Sequence, residues 1–295
     1  MTSPGPASLL APDFVRQLEV LRRRLEIRAR SGGAGEHLAK RRGGASEFQE
    51  HRPYAAGDDL RRIDWAAYAR TGDPVLKVFR AEEDAVARVL VDASASLGYG
   101  EPPKLEVAKR LGAAMGYMTL ARSERAQLYA GAESLASESP AHRGRAGLPG
   151  FLRALDALRP RGGTDLPAIV DAVVRRSKRA GMLVVLSDFF DAGPVTASLS
   201  RAASAGHDVL LVQVVTPDEI EPALRGDWAL EDLETGAVVE VTMDAEALAA
   251  YALRFAGLCE ELRAWARKRS AAYVRVRTDE PLEDAVRRLV ARSVD

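Results

Sequence analysis

The sequence predicts an α/β protein built on a doubly wound, mainly parallel sheet. Three short apolar runs have the composition of strands that are buried on both faces. These runs are Ala87–Val91, Met182–Leu186 and Asp208–Val215. Segments with helical spacing of apolar residues lie between them, and this alternation favours a sheet covered by helices on both sides.

The other elements are predicted from the same two periodicities, with apolar residues at every second position or at every third and fourth. The predicted helices are Leu105–Leu120, Phe151–Leu158, Thr164–Arg179, Val195–Ala205, Leu282–Val290 and a long helix whose apolar stripe runs from Leu248 to Ala266. The further predicted strands are Val75–Phe79, Gln127–Ala130 and Tyr273–Arg277. A β-hairpin insertion is predicted from Trp228–Leu233 and Ala237–Val241, joined at Glu234–Gly236.

We predict two regions, an N-terminal extension over residues 1–74 and the sheet domain over residues 75–295. The extension begins with a helix, because Phe14, Leu18 and Leu21 recur at helical spacing. Arginines occupy its other sides, and we interpret it as a solvated amphipathic helix. A contact with an acidic partner or with nucleic acid is the alternative, although two glutamates interrupt the basic face.

Composition excludes several classes of protein. Lysine plus arginine and aspartate plus glutamate number 42 each, so the net charge gives no reason to expect nucleic-acid binding. One cysteine and four scattered histidines argue against a disulfide framework and against zinc. Cys259 lies on the apolar stripe of the long helix, which predicts a core residue.

No signal peptide or membrane span is recognised, so we expect a cytoplasmic protein without direct membrane insertion.

Oxygen-bearing side chains follow two of the apolar strands and one glycine turn. They are Asp92, Ser94 and Ser96 in a D-x-S-x-S segment, Thr164 after Gly162-Gly163, and Asp188 after Met182–Leu186. Ligands of doubly wound sheets gather at the carboxyl ends of the strands, near the point where the strand order reverses. Because hard cations prefer oxygen ligands, we predict a divalent cation here: Mg²⁺, with Mn²⁺ or Ca²⁺ as alternatives.

The order D-x-S-x-S, then T, then D resembles the metal-ion-dependent adhesion site of von Willebrand factor A domains. This resemblance implies a von Willebrand factor A-like, Rossmann-like fold with Asp92, Ser94, Ser96, Thr164 and Asp188 around the metal. Two carboxylates and neutral hydroxyls leave room for a further ligand, which a carboxylate of another protein would supply.

A second signature lies ahead of the first apolar strand, in residues 46–73. It consists of Glu47-Phe48, RPYAAGD at Arg52–Asp58, RIDW at Arg62–Trp65 and the pair Ala69-Arg70. With the D-x-S-x-S segment, it resembles the DUF58 family over roughly residues 35–290. That resemblance implies a fold like the A domain, and a gene often located beside that of a MoxR-type AAA+ ATPase.

Each feature also has a purely structural interpretation. The hydroxyls of the D-x-S-x-S segment would bond to local backbone in a turn, and Thr164 would cap the following helix. The charged segment would be a cover held by local ion pairs. The functional interpretation is a partner-binding surface, since aromatic and arginine side chains often anchor interfaces. Its predicted residues are Arg52, Tyr54, Asp58, Arg62, Asp64, Trp65 and Arg70.

Three functions compete at this point. The first is a non-enzymatic adaptor that binds an acidic residue of a MoxR-type AAA+ ATPase through the metal, in complex assembly or chaperone-like activity. The second is a Mg²⁺- or Mn²⁺-dependent hydrolase of phosphate esters, with Arg61, Arg62 or Arg70 stabilising charge. The third is nucleic-acid binding through the arginine-rich helix. The sequence contains no Walker A loop, no G-x-S-x-G and no H-E-x-x-H, which weakens the enzyme hypothesis.

Overall fold

A computed structural model describes residues 8–31, 47–55, 58–80, 86–190 and 192–292 of the chain. The chain divides into two compact units. The first comprises Met1–Arg23 and Ala85–Asp295, and the second comprises Arg24–Asp84. Among the described residues, no helix is both long enough and apolar enough to span a bilayer.

The elements are numbered in chain order. The helices are α1 (Pro12–Ser31), α2 (Trp65–Thr71), α3 (Lys104–Leu120), α4 (Gly144–Asp156), α5 (Leu166–Arg176), α6 (Ala192–Ser204), α7 (Pro217–Ile220), α8 (Ala245–Lys268) and α9 (Leu282–Ala291). The strands are β1 (Glu47–Pro53), β2 (Val75–Arg80), β3 (Val86–Asp92), β4 (Arg125–Gly131), β5 (Leu135–Glu138), β6 (His142–Arg143), β7 (Met182–Ser187), β8 (Asp208–Val215), β9 (Gly226–Glu231), β10 (Val238–Met243) and β11 (Ala272–Arg277). Short 3₁₀ helices cover Leu60–Arg62 and Ala95–Gly98.

The first unit is organised by a seven-stranded sheet with the order β11-β8-β7-β3-β4-β5, and β6 also pairs with β4. All neighbours from β11 to β4 run parallel, while β5 and β6 run antiparallel to β4. The chain enters at β3, passes to β4 on one side and then returns to β7 on the other. The strand order therefore reverses between β3 and β7, which confirms the predicted doubly wound, mainly parallel sheet.

Helices cover both faces of this sheet. Neighbouring residues of β3 point to opposite faces, and each packs against a different layer of helices. Leu90 is fully buried in an apolar cluster with residues of α5, α6 and α8. Val89 contacts the opposite layer, where Gly112 of α3 approaches its side chain. Strands buried on both faces favour apolar side chains, which explains why β3, β7 and β8 are mainly apolar, with Arg88 and Gln213 as buried polar exceptions at interior positions. Cys259 is buried beside Val215, as predicted for a core residue.

The N-terminal helix α1 contributes to the core of the first unit. Phe14, Leu18 and Leu21 are buried, and the Arg110 guanidinium of α3 lies over the Phe14 ring at 5.5 Å. The sequence predicted this helix and its apolar stripe correctly. The stripe is covered by the first unit, so this part of the chain belongs with the sheet domain.

The second unit contains a two-stranded antiparallel sheet, in which β1 pairs with β2. The predicted boundary at residue 74/75 is therefore wrong: the strand at Val75–Arg80 pairs with Glu47–Pro53, and the first unit resumes at Ala85. The sequence did not predict β1, because its charged residues hide any alternation of apolar and polar positions. Helix α2 lies between β1 and β2 in the sequence. Its C-cap is Gly72, whose φ of 77° is a conformation that favours glycine.

The structure also changes several helix boundaries. Helix α4 begins at Gly144, whereas the predicted start was Phe151. Helix α5 begins at Leu166 after an Asp165 N-cap and ends at Arg176, whereas the predicted helix ran from Thr164 to Arg179. The hairpin is confirmed, with Leu230 opposite Val239 in its ladder. The short strands β5 and β6 carry no clear periodicity, and the sequence did not predict them.

Gly116 is expected to be essential for the packing of α3 on α4. A Cβ atom there would lie 2.1 Å from Cε1 of the buried Phe151 ring, so Gly116→Ala should destabilise the protein by about 1–3 kcal/mol. Gly257 on the exposed side of α8 has no atom within 4 Å of a built Cβ. The matched variant Gly257→Ala should raise stability by about 0.5–1 kcal/mol. Urea denaturation measures both, and equal effects would contradict the packing argument.

Candidate metal centre

Three predicted ligands from three separate segments line one cleft at the switch point of the sheet. β3 and β7 pair in parallel, with Val91 opposite Leu186, so their carboxyl ends lie side by side. Asp92, Thr164 and Asp188 line the cleft. The cleft is completed by Leu166, Pro167, Ser187, Phe189 and Phe190. The fold therefore places these three side chains around one cleft, and their role as metal ligands stays a prediction.

Backbone hydrogen bonds hold the glycine turn against the loop that follows β3. The Ala95 amide donates to the Gly162 carbonyl at 2.9 Å, and the Arg161 amide donates to the Ala93 carbonyl at 2.9 Å. Gly162 has a φ of 65°, a conformation that glycine adopts without strain. This pairing of loops places Thr164 in the same cleft as Asp92, although the two residues are 72 positions apart in the sequence.

Asp92 is the most enclosed acid of the cleft, with 1% of its surface exposed. Its Oδ1 accepts a hydrogen bond from the Ser94 amide at 3.0 Å, and its Oδ2 accepts one from Ser187 Oγ at 2.7 Å. Burial and the negative charge of Asp188 raise the pKa of Asp92 to about 6, against the opposing effect of these hydrogen bonds. At neutral pH the carboxylate is mainly ionised, and it lies out of water near a like charge.

Ser94 and Ser96 extend the cluster from Asp92. Their Oγ atoms lie 3.0 Å apart, and Ser94 is fully buried while Ser96 is half-buried. The Ser94 amide donates to the Asp92 carboxylate, whereas the structural interpretation expected the serine hydroxyls to bond to local backbone. The two hydroxyls bond to each other, so each keeps lone pairs that a cation can use.

The Thr164 hydroxyl is buried and has no hydrogen-bond partner among the described residues. Helix capping does not explain it, because Asp165 is the N-cap and its Oδ1 accepts from the Ala168 amide at 2.9 Å. Buried polar atoms in native proteins are nearly always paired with protein, water or an ion. An unpaired oxygen in a cleft with two carboxylates is therefore suited to a cation.

A buried lysine that the sequence analysis missed bonds to the second carboxylate of the cleft. Lys104 Nζ donates to Asp188 Oδ2 at 2.7 Å and to Glu219 Oε1 at 2.6 Å, and 1% of the lysine side chain is exposed. Burial disfavours the charged ammonium, but the two carboxylates outweigh burial and the pKa of Lys104 is raised. The other oxygen of Asp188, Oδ1, accepts only a long bond of 3.4 Å from the Phe190 amide among the described contacts.

The charges of this cluster do not balance. Asp92, Asp188 and Glu219 contribute three carboxylates, and Lys104 contributes one ammonium, which leaves two negative charges. The sequence pattern around Glu219 was recognisable, since Thr216 and Glu219 form a capping box at the start of α7. Lys104 gave no signal, because a lysine at a helix start is usually solvated. A divalent cation would neutralise the remaining charge.

Two further acids hold the backbone of the glycine turn. Glu133 Oε1 accepts from the Gly163 amide at 3.3 Å, and Glu234 Oε2 accepts from the Thr164 amide at 2.9 Å. Glu234 lies in the turn between β9 and β10, so the tip of the hairpin reaches the loop that carries a candidate ligand. The sequence predicted the turn but not this contact.

A buried hydrogen-bond chain fixes the main chain of Asp188 from within the sheet. Gln213 Nε2 on β8 donates to the Asp188 carbonyl at 2.9 Å. The Tyr273 hydroxyl on β11 donates to Gln213 Oε1 at 2.6 Å. Asp188 is therefore held through its carbonyl as well as through its carboxylate.

The chemistry of the donors fits a hard cation better than zinc. Among residues 8–31, 47–55, 58–80, 86–190 and 192–292, no group of three or more histidine, cysteine, aspartate or glutamate side chains is arranged to hold a metal. A cation in this cleft would thus depend on hydroxyl oxygens and water in addition to two carboxylates. Mg²⁺ commonly keeps several waters and takes one or two carboxylates.

In the second unit, two of the predicted partner-binding acids have local structural roles. Asp58 accepts hydrogen bonds from the Ala55 amide at 2.9 Å and from Arg52 Nη2 at 2.7 Å, and these bonds lower its pKa. Asp64 is a buried N-cap that accepts from the Ala66 and Ala67 amides. The ion pair with Arg52 agrees with the structural interpretation of Asp58, whereas Asp64 caps a helix, and partner binding by either residue stays a prediction.

The aromatic residues of the same segment are available at the surface of the second unit. Trp65 is 61% exposed, and it forms an edge-to-face pair with Tyr68 at 6.1 Å between ring centroids. Tyr54 is half-buried and Arg70 is exposed. The side chain of Arg62 lies outside the described residues. A role for these residues in partner binding stays a prediction.

The family described as "Protein of unknown function DUF58" matches residues 50–257. The chain belongs to this family. Among curated proteins, Uncharacterized protein Rv1480 of Mycobacterium tuberculosis is 34% identical over 216 residues, which is 71% of this chain and 68% of that protein. Uncharacterized protein MAV169 of Mycobacterium avium is 34% identical over 130 residues, which is 43% of this chain and 76% of that protein.

Solved structures with a similar arrangement include the conserved hypothetical protein BatB from Bacteroides thetaiotaomicron. It is 17% identical with a TM-score of 0.48, and the match covers 70% of this chain and 98% of that chain. A von Willebrand factor type A protein from Catenulispora acidiphila is 15% identical with a TM-score of 0.42, covering 71% and 42% of the two chains. The SpRpn10 VWA domain is 11% identical with a TM-score of 0.40, covering 69% and 94%.

Replacing Lys104 should be costly, because it would leave two carboxylates without their cation. We expect Lys104→Met to lower the free energy of unfolding by about 3–5 kcal/mol in metal-free buffer. The control is Lys109→Met on the same helix, since Lys109 is also buried but pairs with one partly exposed acid, Glu106. Thermal or urea unfolding compares the two variants, and an equal loss would argue against a special role for Lys104.

Proposed function

We propose that this DUF58 protein is a non-enzymatic, metal-dependent protein-binding adaptor. The observation that supports the proposal is the cleft itself, where Asp92, Thr164 and Asp188 converge from three segments and the Thr164 hydroxyl has no partner among the described residues. An oxygen-rich, negatively charged cleft at the switch point of a doubly wound sheet is a typical ligand site.

The proposed cofactor is Mg²⁺, with Mn²⁺ or Ca²⁺ as alternatives. Asp92 would hold it through a carboxylate oxygen, and the hydroxyls of Ser94, Ser96 and Thr164 would complete the protein's share of ligands. Asp188 would contribute its Oδ1, since its Oδ2 is bonded to Lys104. The bound cation would supply a Lewis-acidic position at which a further oxygen ligand binds.

The proposed partner is a protein that presents an acidic side chain to this position. Hydroxyl ligands leave a divalent cation only partly neutralised, so a carboxylate from outside the chain would be favoured. Resemblance to the DUF58 family suggests a MoxR-type AAA+ ATPase as that protein, in complex assembly or a chaperone-like role. The second unit, with its exposed Trp65, is a further candidate contact.

The contacts of the cleft favour binding over hydrolysis. The residues that line it include neither histidine nor cysteine, and its Ser187 hydroxyl donates to the buried Asp92 carboxylate. Its two carboxylates already bond to Ser187, Ser94 and Lys104, so both are engaged in structural contacts. The hydrolase hypothesis gains no support from this geometry.

Thr164→Val tests the metal directly, because valine keeps the shape of threonine and removes only the hydroxyl. Metal-free stability should stay unchanged or rise by about 1 kcal/mol, since an unpaired buried oxygen is removed. Affinity for Mn²⁺, measured by the loss of free-ion EPR signal, should fall about 10–100-fold.

Thr119→Val is the control for this substitution. The Thr119 hydroxyl is also buried, but it donates to the Met115 carbonyl at 3.0 Å in α3. Its loss should cost about 0.5–1.5 kcal/mol of stability and leave Mn²⁺ affinity unchanged. A Thr164→Val protein that is less stable but binds Mn²⁺ normally would show that the hydroxyl has a structural role.

Asp92→Asn should abolish metal-dependent partner binding while the fold persists. Asparagine keeps the size of aspartate but removes the charge that attracts the cation, so retention of a MoxR-type ATPase on the immobilised protein should drop at least about tenfold. EDTA should have the same effect on the native protein. Asp165→Asn is the control, because asparagine is an equally good N-cap. Retention that neither EDTA nor Asp92→Asn reduces would refute the adaptor proposal.

A further inference from the structure

The hairpin of β9 and β10 (Gly226–Met243) reaches the candidate metal centre with its tip. The Glu234 carboxylate in the hairpin turn accepts a hydrogen bond from the Thr164 amide at 2.9 Å. We propose that Glu234 is a positioning residue that couples the hairpin to the metal centre, so that cation binding and attachment of the hairpin tip strengthen each other. This inference rests on the proposed metal site, and it adds a second element that responds to the cation.

The strands of the hairpin gain little stability from burial. Every residue of β9 is exposed, including Trp228 at 45%, and Val239 on β10 is 57% exposed. A two-stranded hairpin is at best marginally stable in water without further packing. Attachment at the tip is therefore an important contribution to its order, and a change at the attachment point is transmitted to the whole hairpin.

The turn is built to present Glu234. Asp232 Oδ1 accepts from the Glu234 amide at 2.8 Å, and the Gly236 amide donates to the Asp232 carbonyl at 2.7 Å. Gly236 has a φ of 70°, which the turn requires and glycine permits. These bonds fix the backbone of Glu234, so its carboxylate meets the Thr164 amide with little further loss of conformational freedom.

The contact acts on a candidate ligand through that ligand's own backbone. The amide that Glu234 holds and the unpaired hydroxyl belong to the same residue, Thr164. Fixing the amide fixes the position from which the hydroxyl reaches into the cleft. The Glu234 carboxylate also adds negative charge near the cation, so a test must separate position from charge.

Coupling between two binding events is reciprocal. If Glu234 raises the affinity for a cation by some factor, the cation must favour attachment of the hairpin tip by the same factor. A bond with a purely structural role would leave cation affinity unchanged and would not respond to the cation. Both directions of the coupling can be measured on the full chain.

The first measurement is a Mn²⁺ titration by EPR on the native chain and three variants. Glu234→Ala removes both the hydrogen bond and the charge, and Mn²⁺ should bind about tenfold more weakly. Glu234→Gln keeps an oxygen acceptor, so it should recover a large part of that loss. Glu240→Gln removes an exposed carboxylate from the same hairpin and should change the affinity less than twofold.

The second measurement is amide hydrogen exchange of residues 226–243 with and without Mg²⁺. Mg²⁺ should slow exchange in the native hairpin and in Glu240→Gln, and it should have no effect in Glu234→Ala. Two results would overturn the coupling while leaving the metal site intact: normal Mn²⁺ affinity in Glu234→Ala, or equal losses in Glu234→Ala and Glu240→Gln. A native protein that binds no Mn²⁺ would overturn the adaptor proposal and the coupling together.

Discussion

The ionised Asp92 carboxylate, buried at the end of β3, is the constraint on which the arrangement of the cleft depends. Removing such a group from water costs several kcal/mol, and hydrogen bonds to a charged group each return about 1.5–3 kcal/mol. Ser187 and the Ser94 amide supply two of these bonds, and Lys104 balances the neighbouring Asp188. The surrounding residues thus stabilise the Asp92 carboxylate through hydrogen bonds. Among its described contacts, Asp92 has no ion pair with a cationic side chain.

The fold makes this concentration of charge possible by aligning the ends of parallel strands. Mainly apolar sequences place β3 and β7 in the interior of the sheet, and the carboxylates of Asp92 and Asp188 lie where these strands end. The glycine turn before α5 is joined to the loop after β3 by backbone bonds, so Thr164 is placed independently of its side chain. The strand order and the backbone bonds between loops therefore determine where the acidic cleft forms, and the side-chain contacts then determine its detailed geometry.

The sequence predicted the features that leave a local pattern of residues, and it missed those that depend on residues far apart in the chain. Apolar runs predicted the central strands, and the position of polar residues at strand ends pointed to Asp92, Thr164 and Asp188, which line one cleft. The pairing of Lys104 with Asp188 joins residues 84 positions apart, and no local pattern records it. Strand β1 and the domain boundary were missed for a related reason, since the partner of β2 is a charged segment without visible alternation.

The chain of hydrogen bonds through Gln213 extends the influence of the cleft beyond its lining. The Tyr273 hydroxyl lies on the edge strand β11, and it is two hydrogen bonds away from the Asp188 carbonyl. Loss of that hydroxyl would free Gln213 to turn its amide, and Asp188 would lose one of its anchors. A mutation of Tyr273 on the edge strand is therefore expected to affect the acidic cleft, although Tyr273 does not line it.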